Sequence, residues 1–355
     1  MLRLTLVLTS GSSTLTWNGN INGNWDTTTL NWLAGSSTAY ANGQFVRFLD
    51  GANTGSVNLT TTLSPASVTV SNSALAYTFN GSGSIGGSGG LIKSGPGKLV
   101  IDNDGANNFS GGVTINAGAL QVGNNDTAGS LPAGPIVDNG NLIFARSDSI
   151  TVGNNISGTG SFIQAGAGTT LSLNGANSFS GNVVITNGST LKIAGSSALG
   201  STGGSVIVAN SSTFDLNGYV STKPIIVSGT GMDGSGAITD SGGAIYNPAL
   251  FVTLAGDTTL NYSTRWDFDS GSTIGTGGNA YDLTLVGSGY FEWRNATLDP
   301  ALGDINLISG QLGIVGSTTF GDPNHTLTVS AGAALVFYGG PFSRVNKQWI
   351  CKPEA

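Results

Sequence analysis

The sequence predicts an all-β fold, a single-stranded parallel β-helix, and three observations carry that prediction. Apolar residues come in strand-length runs such as Leu99-Val100-Ile101 and Val113-Thr114-Ile115, too short for a helix. Gly, Asn, Ser and Pro separate these runs, and 57 glycines in 355 residues leave no window in which a helix would persist. The block 87–123 then recurs at 160–195, displaced by 70 to 72 positions, with Gly-Ala-Asn-x-Phe-Ser-Gly as the clearest shared core. A repeat that holds several strands is several turns of a solenoid, since one turn of a parallel β-helix takes about 20–25 residues.

In chain order, residues 1–11 hold one positive charge and a short apolar stretch. They read as a signal remnant or, through the alternation of Leu4, Leu6 and Leu8, as a first strand. Residues 12–86 form an N-terminal cap and the first rungs. They carry Trp17, Trp25 and Trp32, half of the six tryptophans. Large aromatics suit the open end of a stack of apolar coils; stacking on sugar rings is their other use, which makes these three the carbohydrate-binding candidates. Val57-Asn58-Leu59, Val68-Thr69-Val70 and Tyr77-Thr78-Phe79 each put two apolar side chains on one face.

Residues 87–338 continue as β-helix repeats. Leu91-Ile92-Lys93 opens the first copy, and Leu171-Ser172-Leu173 and Val183-Val184-Ile185 belong to the second. The rhythm persists through Val206-Ile207-Val208, Leu283-Thr284-Leu285 and Leu327-Thr328-Val329, for roughly fifteen rungs in all. Residues 339–355 are a C-terminal tail or cap: from Pro341 on there is no glycine, and Arg344, Lys347, Trp349, Cys351 and Lys352 crowd together. A solenoid holds a chain of this length in one elongated core.

Three segments, Gly89-Gly90-Leu91-Ile92-Lys93-Ser94-Gly95-Pro96-Gly97-Lys98-Leu99, Gly105-Ala106-Asn107-Asn108-Phe109-Ser110-Gly111-Gly112 and Val113-Thr114-Ile115-Asn116-Ala117-Gly118-Ala119-Leu120, resemble the autotransporter-associated β-strand repeat, or passenger-associated transport repeat, of exported bacterial surface proteins. The second copy is looser, with Gln164 for Lys93 and Asn182 for Gly112. The resemblance implies a right-handed helix, an extracellular or cell-surface location, and a membrane barrel, if any, outside this chain. It implies no cofactor and no particular chemistry.

A net charge of −7 with scattered Lys and Arg disfavours a nucleic-acid partner. No apolar run reaches the 18 residues of a membrane-spanning helix. The single cysteine, Cys351, allows no internal disulfide. With 39% hydrophobic residues in regular alternation, the chain can bury a core despite its low charge content.

Few residues suggest chemistry. Arg265-Trp266-Asp267-Phe268-Asp269 and Glu292-Trp293-Arg294 lie about one rung apart, so Asp267, Asp269 and Glu292 form the carboxylate set that a polysaccharide hydrolase would need. Interleaved arginines point instead to an exposed cross-strand charge ladder, in which ion pairing satisfies the carboxylates without any catalytic task. Asp102-Asn103-Asp104-Gly105 has part of a calcium loop, but both acids vanish in the second copy, where Leu173-Asn174-Gly175 stands, so it reads as a turn and no metal is expected. His325, the sole histidine, sits in a turn with Pro323-Asn324.

The expected function is a non-enzymatic extracellular passenger or stalk in adhesion, surface display or matrix formation, with surface glycans or other copies of itself as partners. The alternatives are a polysaccharide-active enzyme or a carbohydrate-binding module on the same fold.

Overall fold

The computed structural model describes residues 14–246, 248–338 and 347–352; the expectation for residues 1–11 lies outside them. The chain divides into two compact units, 1–142 and 143–355. Among the described residues there is no α-helix, only the short 3-10 turn Met232–Gly234, and within each unit parallel coils stack as a β-solenoid, about 14 turns in all.

In the first unit, Leu15, Val46, Val68, Leu91, Val113 and Ile136 stand in register on successive coils. From Val46 onward the partners are 22 or 23 residues apart, the turn length expected from the repeat. Alternation puts every second residue of each strand inward, so a neighbouring inner column runs Val70, Lys93, Ile115, Asp138. A second face stacks Tyr77–Asn80, Lys98–Ile101 and Ala119–Val122 in parallel. The start departs from this pattern, since Trp32–Leu33 pairs antiparallel with both Thr14–Trp17 and Ser37–Thr38.

In the second unit, one inner column runs Ile150, Leu171, Leu191, Phe214, Ile238, Leu260, Leu285, Leu307 and Val329. Another runs Phe162, Val183, Val206, Ile225, Val252, Ile274 and Leu298. Each such aliphatic side chain contributes about 1.5–3 kcal/mol by leaving water, and the columns are the main source of stability. A further wall is a parallel sheet of Arg265–Phe268, Tyr290–Arg294, Gln311–Val315 and Ala334–Tyr338. Gln348–Cys351, within the segment read as tail or cap, pairs with Thr326–Val329 and adds one more strand.

The repeat motif has a local physical cause. The Asn107 side chain accepts from the Ile85 N–H at 2.8 Å and donates to the Ser130 carbonyl at 2.9 Å, so one amide stitches three successive coils. Asn177 does the same in the second copy, accepting from Ile156 N–H at 2.8 Å and donating to Ala198 O at 2.7 Å. The motif's Phe109 and Phe179 are both buried beside these stitches.

Candidate functional site

The site lies on the outer surface of the Arg265–Phe268 wall. Alternation turns Trp266, Phe268, Phe291 and Trp293 inward, where they are fully buried and their rings pack 5.0 to 5.9 Å apart. The same alternation sends Arg265, Asp267, Tyr290, Glu292 and Arg294 outward. Asp267 pairs in register with Glu292, which pairs with Gly313 on the next coil.

Outward-facing carboxylates of a sheet are normally wet, yet Asp267 is 1% and Glu292 3% exposed. They are covered by the groups that bind them. Arg265 Nε lies 2.8 Å from Asp267 Oδ1 and 3.1 Å from Oδ2, and its Nη2 reaches Glu292 Oε2 at 3.2 Å. Arg294 donates to Glu292 Oε1 from Nε at 2.9 Å and from Nη2 at 2.5 Å, and the Tyr290 hydroxyl donates to Oε2 at 2.8 Å. Asp269 is looser, 4.0 Å from Arg294 and partly exposed. The hydrogen bond to Asp267, ahead of the Coulomb attraction, lifts Arg265 above the usual guanidinium pKa, and Glu292 does the same for Arg294. Burial and then the bond to Glu292 push the Tyr290 hydroxyl up as well.

Gly313 makes room for this arrangement. A Cβ there would fall within 1.9 Å of the Tyr290 hydroxyl oxygen, so the tyrosine lies across bare backbone. Above it is an open cleft of about 580 Å³ lined by Arg265, Tyr290, Glu292, Arg294, Val315 and Tyr338.

The three sequence-predicted acids thus share one patch, but Asp267 and Glu292 have every carboxylate oxygen engaged by arginine or tyrosine. A glycosidase needs one carboxyl free to protonate the leaving oxygen and another free to activate water or attack. In this geometry Asp267 and Glu292 are both ion-paired carboxylates whose four oxygens already accept hydrogen bonds.

Trp17, Trp25 and Trp32 are 0–1% exposed. They form one cluster with Tyr40, Phe48 and Phe79, with Trp17 and Trp32 5.1 Å apart and Trp25 and Phe79 5.8 Å apart. Sugar stacking needs an open ring face, and none of the three indoles presents one. Asn103, in the partial calcium loop, is buried and spends its amide on the Gly83 and Gly105 carbonyls. Burial and then repulsion from Asp126 raise Asp102 to about 6.

Two groupings were not legible in the sequence. His325 Nδ1 lies 3.2 Å from Asp304 Oδ1, with Asp282 beside them; the signal would have been their spacing of about one coil. Asp304 is held low, first by the Thr326 N–H and also by His325. Ser241 Oγ donates to Asp215 Oδ2 at 2.5 Å and accepts from Lys192 Nζ at 3.0 Å, while Lys192 is paired with Asp215 at 3.6 Å.

The passenger-associated transport repeat matches residues 91–122 and 162–193. Over 246 residues, 67% of the chain, the sequence is 31% identical to the adhesin BmaC autotransporter of Brucella suis biovar 1, and it spans about 6% of that relative's length. No solved structure matches. Among the described residues no helix is long and apolar enough to cross a membrane.

Proposed function

With a chain that carries two passenger-associated transport repeats, and that is extracellular or displayed on the bacterial surface, as premise, we propose a non-enzymatic passenger that acts by contact, in adhesion, display or matrix formation. The observation that carries this reading is the saturated state of Asp267 and Glu292, the best carboxylate pair for hydrolysis. The similarity to a protein named as an adhesin supports it from a second side. Stacked coils set outward side chains in register from one turn to the next, a geometry suited to many weak contacts acting together.

A panel of polysaccharides incubated with the protein and assayed for reducing ends and unsaturated products tests the reading. We expect no product. Product that disappears in Asp267→Asn but persists in Asp233→Asn, an exposed acid outside this network, would overturn it. Beads coated with the protein should adhere to glycan-bearing surfaces or to one another; beads that do neither would count against contact as the mode of action.

A further inference from the structure

We propose that the cleft above Gly313 is a binding site for a neutral oligosaccharide. The proposal rests on the reading of a contact-acting surface protein and names the chemistry of one partner.

The cleft combines two features that a sugar ring requires. The first is a rim of open aromatic faces. Tyr338 is 49% exposed, and it meets Tyr290 edge-on with ring centroids 6.3 Å apart. Tyr246 is 61% exposed at the other side of Arg265. Exposed rings at the edge of a concavity offer apolar faces to the C–H side of a pyranose while their hydroxyls stay wet.

The second feature is a set of donors locked in position before any ligand arrives. The Arg265 guanidinium is sandwiched between Tyr246 and Tyr290, with centroids 5.3 and 5.2 Å away, and its Nε and Nη2 edges are taken by Asp267 and Glu292. Arg294 likewise uses Nε and Nη2 on Glu292. Each arginine keeps Nη1 for an incoming acceptor, at a fixed orientation, and so forms that bond with little further loss of side-chain entropy.

Charge selects the class of sugar. Arg265 and Arg294 are matched by Asp267 and Glu292, and Asp269 adds a third carboxylate 4.0 Å from Arg294. The patch is therefore balanced to slightly negative, which suits hydroxyl-rich neutral sugars and disfavours uronates or sialates. The volume of about 580 Å³ lies within the range of small-molecule sites, and Val315 adds an aliphatic surface among the polar and aromatic side chains that line it.

Titration calorimetry of the full chain with cellohexaose, mannohexaose, xylohexaose and galactohexaose, and with hexagalacturonate and sialyllactose as charged arms, tests the site. We expect at least one neutral hexasaccharide to bind, with affinity reduced at least tenfold in Tyr338→Ala and unchanged in Phe251→Ala, which removes an equally exposed ring elsewhere. Tyr338 is half exposed and meets the carboxylate network only through Tyr290, so its loss should leave the fold in place, which circular dichroism checks. Failure of every neutral sugar to bind, tighter binding of a charged one, or equal binding by Tyr338→Ala would overturn the assignment. Beads that still adhere in that case leave the contact reading standing, whereas a bound sugar that is cleaved overturns the non-enzymatic reading and leaves the site.

Discussion

Lys93 and Gln164 occupy the same position of the two repeat copies, and both point into the core, 0% and 2% exposed. The shared position is one where the turn after the strand leaves carbonyls facing inward. Lys93 Nζ donates to the carbonyls of Ser94 and Gly95, both at 2.8 Å, and lies 3.4 Å from that of Ala117 on the next coil. The shorter Gln164 donates to Thr169 Oγ1 at 3.3 Å, and Thr169 passes the bond on to the Gly166 carbonyl at 2.7 Å.

Lys93→Gln should therefore fold, yet lose about 1–3 kcal/mol near pH 10.5, where the cost of the buried ammonium is gone, because no Thr169 equivalent completes its reach and buried carbonyls go unmatched; the loss should shrink toward pH 7, where Gln relieves that cost. Burial holds Lys93 down at about 8. With the native pKa below the unfolded value of 10.5, the unfolded chain binds more protons between those limits, and stability rises with pH from about 8 to 10.5. Urea denaturation across that range should show the rise in the wild type and a smaller one in Lys93→Gln.

Asp138 lies in the same inner column, beyond Ile115, 1% exposed, with the Gly140 N–H on Oδ1 at 2.9 Å. Burial outweighs that bond and raises its pKa from 3.8 to about 6. The native state then binds the extra proton between those values, so this group's contribution falls as pH rises through the window and stays unfavourable above it. Asp138→Asn should stabilise the protein at pH 7 by about 1–3 kcal/mol, and the gain should vanish below pH 3.8. Midpoints of thermal melts at pH 7 and pH 3.5 measure the difference; a variant no more stable at pH 7 would refute the account.

The motif asparagines make a sharper test. Asn107→Ala and Asn177→Ala each strand a buried N–H, of Ile85 or Ile156, and a carbonyl on the following coil. Each should lose about 2–5 kcal/mol, while Asn108→Ala, one residue away and exposed, should lose little. Hydrogen exchange should show the Ile85 and Ile156 amides losing protection in the respective variants.

The solenoid was legible because its signal repeats: Val113-Thr114-Ile115 and Val183-Val184-Ile185 show strand length and inward face directly, and the turn glycines show where each coil bends. Asn107 was visible as part of a motif, but its reach to Ser130, 23 residues on, was not. The inward turn of Trp17, Trp25 and Trp32 depends on an antiparallel return that no period in the sequence announces. In the cleft, Asp267 and Glu292 were found by one-coil spacing. Tyr290 and Tyr338 were missed, because tyrosines at alternate strand positions look like ordinary β formers until Gly313 opens the space between them.

Burial of the network around Glu292 sets the last expectation. Glu292 is covered and is held by Arg265, Arg294 and Tyr290, so Glu292→Ala leaves the Arg294 guanidinium and the Tyr290 hydroxyl without their main acceptor, takes a second acceptor from Arg265, which keeps Asp267, and opens a gap beneath them. Because both arginines keep some contact with water, the loss should fall below that for a fully buried pair, at about 2–3 kcal/mol. Asp269→Ala removes an acid that is partly exposed and only 4.0 Å from its partner, and should change stability by less than about 0.5 kcal/mol. High salt should narrow neither value greatly for Glu292, whose charge is shielded from ions, but should abolish whatever Asp269 contributes. Chemical denaturation of both variants at 0.05 and 1 M salt separates the two; equal losses would mean that burial of Glu292 gives it no greater hold on the arginines than the outer carboxylate has.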